Sequence, residues 1–272
     1  MCIRDRIHTS GLFVHRVVGI GAADILRVTR ERAMPEGAVA AAAARTEEVA
    51  AAVKPRLPRE LMAARIAAEF QPGWVANLGV GMPTMCSDFI PAEKSIVLHS
   101  ENGLIGYGRN ATVEEATPYV VNAGVMPVML TPTTSIVHHA DAFAVIRGGH
   151  LDVGVLGAYE VGANGDLANW KTAGRKGGGI GGAMDIAACA KNVYIMMEHT
   201  LRDGTPRLLP KCTLPITAPA CVKLVMTDLG LLQPAGDHFI LKEIAPGYTV
   251  EEVAALTGAP LVAASDLKVV EW

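Results

Sequence analysis

"SIVLHSENGLIGYG", residues 95–108, joins an apolar run to three glycines within six residues. Ile96, Val97 and Leu98 are the apolar, partly β-branched residues that a buried strand favours. Gly103, Gly106 and Gly108 then let the chain bend where other residues would be strained. Glu101 therefore falls where a strand ends and a loop begins. It is either a solvated turn residue or a carboxylate aimed into a pocket.

Outward from this stretch the same pattern recurs. "WVANLGVG" (74–81), "PVMLTP" (127–132), "LDVGVLGAYEV" (151–161), "NVYIMMEH" (192–199), "CVKLVMTDLG" (221–230) and "HFILKEIA" (238–245) are apolar runs that end in polar or glycine turns. Helical segments are predicted between them. In "PRELMAARIAAEF" (58–70), Met62, Ile66 and Phe70 recur every four residues and share one helix face. "MPTMCSDFI" (82–90), "ADAFAVIRGG" (140–149) and "GAMDIAACAK" (182–191) supply further helices. Thr249 and Glu252 have capping-box spacing, and Gly258 follows the helix they would open. Near-continuous apolar strands alternating with helices predict an α/β fold, an open, mostly parallel sheet with helices on both faces. Ligands of such sheets bind outside the carboxyl ends of the strands. Attention falls on Asn77 to Gly79, His99 to Gly103, Thr131, Tyr159, Glu160, Glu198 and His199.

Composition narrows the function classes. The chain has 272 residues, enough for one sizeable core or two small ones, and is 50% hydrophobic, which excludes a disordered chain. A net charge of −3 with scattered Lys and Arg offers no nucleic-acid footprint. No apolar run reaches the length of a bilayer span. The five cysteines form no CxxC pair and read as reduced core thiols.

Organisation changes near Pro58. Residues 33–56 are Ala-rich with charged punctuation, bounded by Pro35 and Pro55, and read as a linker. "IHTSGLFVHRVV" before it offers one strand, too little to fold alone. "MCIRDR", residues 1–6, resembles the translation of a sequencing-adapter end and is read as a non-native scar.

Two carboxylates compete for a chemical role. A nucleophilic carboxylate needs a partly dry site and open space beside it. Glu101 has glycines immediately downstream, and Glu198 has none. "GGGIGGAMD" (177–185) matches GxGxxG but follows the polar "KTAGRK" rather than a strand, so a dinucleotide site is not expected. Its backbone N–H groups suit an anion or a developing oxyanion, and close packing on the sheet is the plainer alternative. His138, His139 and Asp141 open a helix, where polar contact or capping is expected, and no third ligand nominates a metal.

Together "NLGVGMP", "SENGLIGYG", "IRGGHLDVGVLGAYEVGANGDLANW", "GGIGGAMDIA", "MEHTLRDGTPRLLPKCTLPIT" and "TDLG" resemble the second, B-type subunit of the family I CoA-transferases, the 3-oxoacid and 3-oxoadipate enzymes. The resemblance runs from about residue 58 to 260. "IHTSGLFVHRVV" resembles the closing segment of the A-type subunit, which some members fuse to the B-type one. It implies residues 7–32 as the tail of a first domain, 33–56 as linker and 57–272 as the B-type domain.

By resemblance, Glu101 is the nucleophile that carries CoA as a glutamyl thioester. Backbone N–H groups near Gly181 and Gly182 stabilise oxyanions. Asn77, Ser100, Asn102 and Gly103 shape the pocket, and His138 or His139 meets a second carboxylate on the acceptor. The family uses coenzyme A as substrate, with no metal and no cofactor. Succinyl-CoA is the expected donor, and 3-oxoadipate or acetoacetate the acceptor. An A-type partner, a higher oligomer of A–B units, no nucleic acid and no membrane are expected. The expected compartment is the cytoplasm, with the mitochondrial matrix as the alternative. An acyl-CoA hydrolase, a sugar-phosphate isomerase on a related sheet and a non-catalytic ligand sensor are the rival readings.

Overall fold

The computed structural model describes residues 2–3, 6–7 and 54–271 apart from 173, 175, 176 and 180. Two short strands, β1 (Cys2–Ile3) and β2 (Arg6–Ile7), pair antiparallel. The expected A-type tail and most of the linker lie outside the described residues.

The principal sheet grows from β3 (Val75–Leu78), β4 (Val97–Ser100), β7 (Val153–Leu156), β10 (Asn192–Met196) and β12 (Val222–Thr227). These five are mutually parallel in the spatial order β12-β10-β7-β3-β4. Antiparallel strands extend both sides. β5 (Leu104–Tyr107) and β6 (Ser135–Ile136) continue beyond β4, and β13 (Gly230–Pro234) and β14 (Phe239–Ile244) beyond β12. β15 (Leu261–Val269) closes the edge parallel to β14. The ten-stranded sheet is thus parallel at its centre and mixed at its flanks. A smaller sheet in the order β11-β8-β9 holds β8 (Glu160–Gly162), β9 (Leu167–Ala168) and β11 (Leu208–Leu209).

Side chains alternate between two cores, as the period of two along a strand requires. On β10, Tyr194 and Met196 enter one core, while Val193 and Ile195 enter the other. The first core receives α1 (Arg59–Ala68) through Leu61, Met62 and Ile66. The second receives α2 (His139–Arg147) through Ile146, α3 (Ala183–Cys189) through Ile186, and α4 (Val250–Ala255) through Val253. Helices therefore cover both faces. α4 starts with the expected capping box, Thr249 accepting from the Glu252 N–H and Glu252 accepting from the Thr249 N–H. Gly154 on β7 lets α3 lie close, because a Cβ there would run into Ile186.

Two expectations are corrected. "MPTMCSDFI" forms a 3-10 helix over Met82–Phe89 rather than an α-helix. "PVMLTP" forms only isolated bridges, Val128 with Asn110 and Pro127 with Val121. Pro127 has no N–H to donate, so regular pairing starts poorly there. "LDVGVLGAYEV" divides between β7 and β8, which belong to different sheets.

Candidate functional site

Chain order along the sheet reverses at β3, with β4 on one side and β7 on the other. Such a switch point opens a crevice at the carboxyl ends of the strands. A cleft of about 470 Å³ lies there, bordered by Gly79 after β3, Glu101 after β4, Tyr159 after β7, and the Gly179–Ala183 approach to α3. Asn169, Ala123 and Ile186 complete its wall. A second cavity of about 360 Å³, holding Trp170 and Lys171, shares Tyr159 and Gly179 with it.

The turn that carries Glu101 is tight. Ser100 pairs with Leu104 across the β4–β5 hairpin, and the Gly103 N–H donates to the Ser100 carbonyl at 3.0 Å. Gly103 has φ of 111°, and a Cβ there would collide with the Val137 carbonyl. Gly106 likewise has positive φ, with its open side against the Thr133 carbonyl. These glycines serve the close approach of the neighbouring chain. The space beside the carboxylate comes instead from Gly182: a Cβ there would stand 3.0 Å from Glu101 Oε1.

Glu101 is half-buried and held from two directions. Asn77 Nδ2 donates to its Oε2 at 3.1 Å, and His139 Nδ1 donates to its backbone carbonyl at 2.8 Å. Asn77 stands opposite His99 in the β3–β4 register, and the two side chains meet at 3.1 Å. His99 Nε2 reaches the Ala142 carbonyl of α2 at 3.1 Å. Burial pushes the His99 pKa down, against the Ala142 hydrogen bond and the Glu101 charge, which both push it up.

Of the residues named from the sequence, Glu101, Gly181 and Gly182 line the cleft, and Asn77 reaches it through Glu101. Ser100 Oγ accepts from the Ala123 N–H, and Asn102 Nδ2 donates to the Val121 carbonyl. Both tie the turn to the 121–123 segment. His138 is the N-cap of α2, its Nδ1 accepting from the Ala140 N–H. The competing carboxylate, Glu198, pairs with Arg59 at 2.7 Å. His199 is buried between the Thr227 and Thr257 hydroxyls. Among the described residues no group of three His, Cys, Asp or Glu side chains is placed to hold a metal ion. No described helix is long and apolar enough to cross a membrane.

Sequence reasoning missed Asn169 as a wall residue. It donates from Nδ2 to the Gly157 carbonyl and accepts from Thr217 Oγ1. Its place after the short strand β9 was the available signal. The link from His99 to Asn77 was also missed, because it needs the strand register.

Comparison with known proteins adds what geometry alone does not. The family model described as Coenzyme A transferase matches residues 59–256. The B-type subunit of the 3-oxoadipate CoA-transferase of Pseudomonas putida is 42% identical over 209 residues, 76% of this chain and 97% of its own length. The mitochondrial succinyl-CoA:3-ketoacid coenzyme A transferase 2A of Rattus norvegicus is 39% identical, over 75% of this chain and 40% of its own length. Among solved structures, an acyl-CoA transferase from Escherichia coli O157:H7, a thioester complex with CoA, superposes with a TM-score of 0.61 at 22% identity, covering 82% of this chain and 44% of that one. The decarboxylase AibA/AibB shares the fold at a TM-score of 0.58 and 19% identity, over 79% of this chain and 89% of its own. At such identities the structures speak for the fold alone, which hosts more than one chemistry. The family match and the 42% relative decide the point: this chain belongs to the coenzyme A transferases of family I, on the side of their B-type subunits.

Proposed function

We propose that this chain, joined to an A-type partner, moves CoA from an acyl-CoA, succinyl-CoA in the first instance, to a 3-oxoacid through a thioester on Glu101. The observation that carries the reading is the Glu101 carboxylate at the cleft, with Oε2 on Asn77 and Oε1 beside the bare Gly182. A Glu101 oxygen attacks the thioester carbonyl carbon, the C–S bond breaks, and CoA leaves as thiolate. The thiolate then attacks the Glu101 carbonyl carbon of the mixed anhydride, releasing the first acid and leaving glutamyl-CoA. The acceptor carboxylate attacks that thioester, and the returning thiolate takes the acceptor acyl group. Glu101 ends as it began, with no net proton and no oxidant consumed.

Each addition places negative charge on a carbonyl oxygen, which backbone N–H groups at Gly181 and Gly182 would stabilise. Because thioester energy is kept covalently, this scheme calls for no cofactor beyond the CoA substrate. The 3-oxoacid acceptor follows the names of the relatives, 3-oxoadipate and 3-ketoacid enzymes. His138 and His139 keep their expected role towards a second acceptor carboxylate only if the ring atoms not used in capping and in holding Glu101 reach it.

An A-type partner accounts for the apolar lip around the cleft. Val80 is 68% exposed there, and Tyr159 and Met184 are also exposed. Residues 7–32 are assigned as the end of such a domain, 33–56 as linker, 57–272 as the B-type domain and 1–6 as non-native. The isolated chain is then inactive, and measurable CoA transfer by it alone overturns the need for a partner.

The test is chemical trapping. With succinyl-CoA and an A-type partner, hydroxylamine or borohydride should modify Glu101, located by peptide mass. Glu101→Gln should abolish the label and lower transfer by about 10³-fold or more. A labelled residue other than Glu101 refutes the assignment, and acyl groups reaching only water would mark a hydrolase.

A further inference from the structure

Asn77 and His99 face each other across β3 and β4, and both are fully buried. Their hydrogen bonds determine each other's orientation. The Ala142 carbonyl can only accept, so His99 Nε2 carries the proton in the 3.1 Å contact between them. A neutral imidazole then leaves Nδ1 as a lone pair. That lone pair takes one N–H of Asn77 Nδ2, and the other N–H goes to Glu101 Oε2, each at 3.1 Å. The reversed amide would set the Asn77 oxygen against both a lone pair and a carboxylate. In the observed orientation Asn77 Oδ1 is buried with no hydrogen-bond partner. A core gains nothing from such an orphan, whereas a site that must aim a carboxylate does.

We infer that His99 is a positioning residue for Glu101: its Nδ1 lone pair fixes the Asn77 amide, whose second N–H aims the carboxylate at the cleft. The inference rests on the reading of Glu101 as the nucleophile. α2 anchors the arrangement at two points, through the Ala142 carbonyl on His99 and through His139 on the Glu101 carbonyl. Burial disfavours the imidazolium, which would remove the lone pair.

A double-mutant cycle on the chain with its A-type partner tests this, read as the single-turnover rate of thioester formation on Glu101. His99→Leu should slow that step by about 30-fold, as a misaimed nucleophile does, with KM for succinyl-CoA within about twofold. Asn77→Ala should cost about as much, and adding His99→Leu to it should cost less than about twofold more, because the two act in series. His99→Gln, which offers both a donor and an acceptor, should restore most of the rate. Independent losses that multiply in the double variant, or a wild-type rate in His99→Leu, overturn the inference. In the wild-type protein, nitrogen NMR should show His99 protonated at Nε2 and bare at Nδ1, and a protonated Nδ1 overturns it without any variant. If the wild-type protein forms no thioester on Glu101, the proposed function fails and takes this inference with it. A labelled wild type with a multiplicative cycle sinks the inference alone.

Discussion

Gly182→Ala isolates the space beside the carboxylate from the stability of the fold. Gly182 has φ of −65° and ψ of −10°, an ordinary helical conformation, so an added methyl brings no backbone strain. Replacing glycine at a compatible conformation stabilises by about 0.4–1 kcal/mol through the unfolded chain, and alanine is a somewhat poorer N-cap than glycine. The two effects nearly cancel, so the net change in stability should stay within about 1 kcal/mol. The methyl would stand 3.0 Å from Oε1 and 3.3 Å from Cγ and Cδ of Glu101. The carboxylate must retreat by a few tenths of an ångström, into the room an attacked acyl carbon needs. Since a misplacement near 1 Å costs about 10²-fold, the expected loss is about 10-fold in the single-turnover rate of thioester formation. Gly181→Ala is the control: nothing stands within 4 Å of its added Cβ, so its rate should fall by less than about threefold. Quenched-flow trapping with acyl-CoA, beside urea denaturation of each variant, reads both quantities. A Gly182→Ala protein that forms the thioester at the wild-type rate would refute the claim that this glycine clears the site.

Two further outcomes concern stability. Gly154→Ala should destabilise by about 1–3 kcal/mol, because its Cβ would overlap Ile186 where α3 lies on β7; trimming the obstacle with Ile186→Val should recover part of that loss in urea unfolding, and purely additive losses would place the clash elsewhere. Burial of His199 between Thr227 and Thr257 pushes its pKa down to about 4. The unfolded chain, with a histidine pKa near about 6.5, therefore binds a proton in a range where the native state does not. Native stability is full above that value and falls as the pH drops towards the folded pKa, by about 2 kcal/mol between about pH 7 and about pH 5. His199→Gln should flatten that slope in urea midpoints measured across the range, and an unchanged slope would assign the acid sensitivity to other groups.

The strands that were legible were those whose apolar runs are long enough to be covered on both faces. β10 reads directly as "NVYIM" because Val193 and Ile195 supply one core while Tyr194 and Met196 supply the other. "PVMLTP" has similar composition and no strand, since strand formation depends on a partner in register and not on apolarity alone. The same distinction runs through the site. Glu101 could be nominated from sequence because a strand end and a tight turn are local properties. Open space from Gly103, Gly106 and Gly108, the local ground for choosing it, is not what the fold provides: those positions admit the carbonyls of Val137 and Thr133 and the side chain of Thr131. The residue that does open the space, Gly182, comes from the approach to α3 and is brought there only by the crossover from β7 to β10. Asn77 and His99 are likewise twenty-two residues apart and become neighbours through parallel pairing. What a carboxylate can do is set by its surroundings, and here the groups that touch its side chain, Asn77 and Gly182, belong to other elements of the fold. A substitution at either position should therefore alter the chemistry of Glu101 more than one at Gly106 or Gly108, which lie nearer to it in the chain than Asn77 or Gly182 but face away from its carboxylate.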